Sequence, residues 1–144
     1  MRKLALLVCL AISAAVLAGA ALAGTGGQGN VNVTTDTACP ATAGSVNTVT
    51  DSDPINVWIS PSTPTGDELT WTISSENSKD LFDGTLTFVC TDTNTGFELW
   101  STGFDAGALS ANLGKGNKTS ESYTISVFDE TASTNVGGDS FRRV

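Results

Sequence analysis

The residues of this 144-residue chain whose types and spacing could do chemistry are two isolated thiols, Cys39 and Cys90, the third cysteine, Cys9, lying inside the N-terminal apolar run, and a scatter of carboxylates; there is no histidine. Without histidine, the Ser-His-Asp and Cys-His arrangements that activate a nucleophile are closed. Two thiols alone do not build a tetrahedral zinc site. Lysine as a base is formally open, but Lys79, Lys115 and Lys118 lie in polar stretches where a protonated amine is expected. The adjacent carboxylates Asp67/Glu68, Asp80/Asp83 and Asp129/Glu130 are the candidates for two-carboxylate hydrolysis. All read as loop residues with no cleft-building insertion near them, so the chain is expected not to be an enzyme.

Hard cations suit such loops better. Asp92-Thr93-Asn94-Thr95-Gly96 sets oxygens at alternate positions, and Asp51 with Asp53 offers a second pair, so Asp92, Asn94, Asp51 and Asp53 are the calcium candidates. Neither stretch completes a calcium loop, since the twelfth position from Asp92 is Gly103, and Asp and Asn are also ordinary turn residues. No other cofactor is expected. Asn32-Val33-Thr34 and Asn117-Lys118-Thr119 match the N-glycosylation tripeptide. Trp58 and Trp100 fall on the solvent-facing side of their strands, where they could stack a sugar ring or anchor a partner unless a loop or second sheet covers them.

The address comes from the N-terminus. Arg2 and Lys3, the apolar run Leu4 to Leu17 and the small-residue end Ala21-Leu22-Ala23 form the three regions of a secretory signal peptide cleaved after Ala23. Cys39 and Cys90, an even pair in an exported chain, are then expected to be bonded, with Trp71 beside them in the core. Losing Arg2 and Lys3 takes the 7 basic residues to 5 against 15 acidic ones, a net charge of −10. That field repels nucleic acid and anionic membrane surfaces. Residues 24–36 read as a flexible Gly-rich leader ending in an N-terminal strand, and residues 37–144 as one domain.

Those residues are positioned by short alternating segments. Asn30 to Thr35, Ser45 to Thr50, Ile55 to Ser60, Leu69 to Ser74 and Ser122 to Phe128 alternate apolar and polar, as half-buried strands do. In Thr85 to Gly103 two strands flank a turn closed by Gly96; pairing Cys90 with Phe97 and Phe88 with Leu99 keeps Leu86, Phe88 and Cys90 on one buried face. Ser75 to Gly84 reads as a loop with Leu81 and Phe82 tucked onto the core, Ala108 to Leu113 as a further alternating segment, and Ala132 to Asp139 as a loop before a terminal strand, Ser140 to Val144. The expected fold is all-β: one antiparallel two-sheet sandwich of immunoglobulin-like architecture with one disulfide. The expected role is that of a secreted structural or adhesive surface protein, a subunit of an extracellular filament or matrix, at the cell surface, outside the cell or in a periplasm. Its rivals are a monomeric carbohydrate- or protein-binding module and a small extracellular hydrolase. The partner expected for the first is the chain itself, joined through Val31 and Val33 of the leader, although folding back as an edge strand is the simpler fate of that segment.

Overall fold

Leu69, Trp71 and Ile73 alternate with Thr70, Thr72 and Ser74 in β4 (Leu69–Ser75), and the apolar set is buried while the hydroxyls face out. The same rule builds β8 (Glu121–Asp129), where Tyr123, Ile125 and Val127 point inward, and β3 (Pro54–Ile59), where Ile55, Val57 and Ile59 do. The computed structural model describes residues 31–39, 43–60, 66–75, 80–110 and 121–144. The proposed signal peptide, the leader as far as Asn30, and Asn117 lie outside these.

Among the described residues nine strands form two sheets. One is antiparallel throughout, in the order β1 (Val31–Thr34), β3, β7 (Glu98–Asp105), β6 (Thr87–Thr91). The other has the order β2 (Thr48–Val49), β9 (Thr134–Arg143), β8, β4, β5 (Asp80–Thr85). Its pairings are antiparallel except that of β2, which runs parallel to the end of β9, a correction to the expected purely antiparallel sandwich. Val31, Val33, Ile55, Val57, Ile59 and Trp100 of the first sheet pack against Leu69, Trp71, Ile73, Tyr123, Ile125 and Val127 of the second. The chain passes between the sheets at Leu86, which is buried and donates its N–H to the Leu69 carbonyl at 2.8 Å.

Several elements differ from the alternation pattern. Asp80 to Thr85 pairs with β4 as an edge strand, its neighbour's open ladder overriding the low strand propensity of Asp and Gly. β9 begins at Thr134, so most of the stretch read as a loop is strand. Gly138 is needed there because a Cβ would stand 2.6 Å from the Ile125 carbonyl oxygen. Gly107–Ser110 is a single helical turn, α1, that buries Leu109. In the β6–β7 hairpin the register shifts at Val89, so Phe88 faces Trp100 and Cys90 faces Leu99. The expected pairing of Phe88 with Leu99 and of Cys90 with Phe97 is therefore wrong: the bulge turns Phe88 and Cys90 to opposite faces.

Candidate functional site

Trp58 and Leu99 are register partners on β3 and β7 and point away from the intersheet core, yet both are fully buried. What covers them is the chain after β1. The Asp36 carbonyl accepts a hydrogen bond from Asn56 Nδ2 at 2.7 Å, and its carboxylate accepts from Trp58 Nε1 at 3.3 Å and from the Thr34 hydroxyl at 2.9 Å. Cys39 is then bonded to Cys90 on β6, with the two Cα atoms 5.9 Å apart. Further on, the Val46 N–H reaches the Val33 carbonyl of β1 at 2.9 Å. The segment is a strap that leaves one edge of the four-stranded sheet, is fastened at the opposite edge, and returns. The disulfide therefore lies on the outer side of this sheet, and Trp71 on its inner side. Trp71 does not pack on the disulfide: its ring meets Phe104, centroid to centroid, at 5.4 Å.

Neither Trp58 nor Trp100 is an exposed aromatic. Trp58 lies beneath the strap. Trp100 faces the second sheet, 5% exposed, with its Nε1 donating to buried Glu98 at 3.1 Å. Neither is free to stack a ligand from solvent.

The calcium candidates are distributed among separate structural tasks. The Asp92 carboxylate accepts from the Thr95 hydroxyl at 2.5 Å and from the Asn94 N–H at 3.2 Å, and also from the N–H groups of Thr95 and Ala43. The Thr95 bond, with the backbone donors, holds its pKa below the ordinary carboxylate value against the opposing effect of burial. Asp92 thus organises the turn closed by Gly96, whose φ is 73°, and ties it to the strap. Asn94 is exposed. Asp53 accepts from the Thr50 N–H at 2.7 Å and the Thr50 hydroxyl at 2.9 Å. Asp51 pairs with Arg143 at 2.7 Å, and the Arg143 side chain is buried. Among the described residues, no group of three or more His, Cys, Asp or Glu side chains comes together to hold a metal ion.

One meeting of carboxylates was invisible in the sequence. Asp67, before β4, contacts Asp129, at the end of β8, and its pKa is raised by burial first and then by the hydrogen bond to Asp129 and the repulsion between them. A hydrogen-bonded pair is too close for glycoside hydrolysis, which needs its carboxyls about 5–9 Å apart. Because the folded-state pKa of Asp67 exceeds its unfolded value, the stability it contributes is complete below the ordinary carboxylate pKa and lost as pH rises through the raised one. Asp67→Asn should therefore melt progressively higher relative to the unmodified protein as pH rises across that interval. A difference in melting temperature that does not vary with pH would contradict the pairing.

Asn32 is half-buried on β1, and Thr34 of its tripeptide is buried and bonded to Asp36, so the folded strand does not present this sequon.

The exposed aromatic of the second sheet is Phe128, 38% exposed, which the alternation of β8 places outward. On that outer face Thr85, Thr70, Phe128 and Asn135 form one row across β5, β4, β8 and β9; Asp83, Thr72, Ser126 and Gly138 form the next; Asp80, Ser74, Thr124 and Ser140 the third. The hydroxyls are partly tied together: Thr124 and Ser140 lie 3.2 Å apart, Ser74 donates to Asp80 at 2.9 Å and Thr70 to Glu130 at 2.7 Å.

Comparison with protein-family profiles, with curated proteins and with solved structures finds no match. Among the described residues no helix is long and apolar enough to cross a membrane.

Proposed function

We propose that the protein is a secreted, non-enzymatic surface domain of immunoglobulin-like architecture with a structural or adhesive role. The observation that carries this reading is the Cys39–Cys90 disulfide. Cys39 is solvent-exposed, and a bond so placed persists in an oxidising compartment and not among cytosolic reductants. The apolar run and small-residue end before Gly24 supply the export route.

Strand order supports the architecture. The sequence β1-β3-β7-β6 corresponds to A-B-E-D of an immunoglobulin domain and β9-β8-β4-β5 to G-F-C-C′. Trp71 then sits on the C strand, as the core tryptophan of such domains does. The departure is the disulfide, which fastens the strap instead of joining strands B and F. In their place the facing strands β3 and β8 carry Val57 and Ile125 in the core.

The non-enzymatic part rests on the work the polar groups already perform. Asp36, Asp53, Asp92 and Glu98 hold backbone, hydroxyl or indole donors, and the Asp67–Asp129 pair is too close for glycoside hydrolysis. Β1 lies in its own sheet, so the proposed role does not require strand donation. The rival reading, a binding module, is favoured by one specific observation, the aromatic on the open hydroxyl face.

Mass spectrometry of unreduced protein recovered from outside the cell tests the proposal. A chain that begins at Gly24 and is lighter by the two hydrogens lost on forming the disulfide is expected. A cell-retained chain with both thiols free would overturn it.

A further inference from the structure

The outer face of the five-stranded sheet is rich in side-chain hydroxyls. Seven of the twelve positions in its three rows are Ser or Thr, Asp80 and Asp83 are carboxylates, Asn135 is an amide, and Phe128 is the single apolar side chain. Strands about 4.8 Å apart and alternate residues about 7 Å apart spread these groups over a surface as broad as several sugar rings.

Hydroxyls both donate and accept, so the partner they match best is itself rich in hydroxyls. A pyranose has that rim and, in addition, an apolar C–H face that can rest on an aromatic ring. A protein partner would look for an apolar centre with several aromatic or arginine anchors, and here there is one phenylalanine. Charge excludes the other polymers. Asp80 and Asp83 stand in the rows and Glu130 beside them, and the chain carries a net charge of −8, which repels nucleic acid and acidic polysaccharides.

We propose that this face binds a neutral glycan, with Phe128 under one sugar ring and the hydroxyls of Thr72 and Ser126, in the adjoining row, bonding to its rim. The inference gives the adhesive reading a ligand class and rests on it, but its test needs only purified protein and is independent of where the cell sends the chain.

The full chain is run in native gels containing a dissolved neutral glucan, mannan or galactan, and in a parallel gel containing a polyuronate. Retardation by at least one neutral polymer and none by the polyuronate is expected. Phe128→Ala should weaken it about tenfold, the loss of one aromatic stacking contact. Thr72→Arg, which plants a long cation in the adjoining row, should abolish it. Both variants should keep the far-ultraviolet spectrum of the folded protein, since both positions face outward; were one to unfold, the other decides. Phe88→Ala, on the other sheet, should leave retardation unchanged. No retardation by any neutral polymer, retardation by the polyuronate alone, or retardation that survives both substitutions on this face would overturn the proposal.

Discussion

Replacing Cys39 and Cys90 together by serine is expected to lower the melting temperature by on the order of 10 °C and to shift tryptophan emission to longer wavelength. The bond spans 51 residues, and closing a loop of that length in the unfolded chain corresponds to about 4 kcal/mol, less any strain in the folded state. The second effect comes from the strap. Trp58 points away from the core and is dry because the chain from Asp36 to Cys39 crosses it. Once the far end is unfastened, the remaining ties are the Asn56, Trp58 and Thr34 bonds to Asp36, the Val46–Val33 bond and the Ala43 N–H to Asp92. Each is worth only about 1 kcal/mol net, so the strap opens and water reaches the indole. Trp71 and Trp100, in the intersheet core, keep their environment, so Trp58→Phe in the same background should abolish the shift. Emission and melting temperature both unchanged by the double substitution would mean that the strap is held by something other than the disulfide.

The strands that the sequence makes legible are those whose pattern and environment agree. In β4 and β8 every second residue is apolar and large, and burial of that set fixes the face. Alternation does not, however, say what lies above a face. Trp58 is on the outer side of β3, as its position predicts, and is nevertheless buried because a segment twenty residues earlier folds across it. Nor does alternation reveal a bulge: Phe88, Val89 and Cys90 are apolar in succession and fit either face, and the additional residue at Val89 is set by how β6 meets β7. The single cysteine pair was readable from count and export; its position on the outer face was not, because Cys90 changes side at that bulge.

The missed strands have the opposite cause. Asp80 to Thr85 and Thr134 to Asp139 contain the Asp and Gly residues of turns, and only pairing with β4 and β8 makes them strands. A signal was present in Gly138, since glycine within a run that resumes as a strand marks close backbone approach. The Asp67–Asp129 contact joins residues far apart in sequence, so no local pattern announces it. Phe128 was the more accessible clue: the alternation that sends Tyr123, Ile125 and Val127 inward necessarily sends it outward.

Central to the whole account is that the sandwich is complete within one chain, with β1 as its own edge strand and not an arm lent to a neighbour. Val31 and Val33 are fully buried in the core, and the Val33 N–H and carbonyl that face away from β3 are satisfied internally by the Asp139 carboxylate at 2.8 Å and the Val46 N–H at 2.9 Å. An edge closed in this way offers a neighbouring chain few free partners. Deleting Gly24 to Thr35 removes both valines from the core, at about 1.5–3 kcal/mol each, and takes the Val33 N–H from the buried Asp139 carboxylate. Stability of a domain is itself only about 5–15 kcal/mol, so the deletion is expected to lower the melting temperature by on the order of 10–20 °C. The decisive measurement is the melting temperature of the truncated and full-length proteins, read beside their solution masses. The account predicts a large drop in melting temperature and the same mass per particle before and after truncation for the fraction that stays folded. An unchanged melting temperature accompanied by loss of a larger assembly would contradict it and show that the strand belongs to a neighbour's sheet.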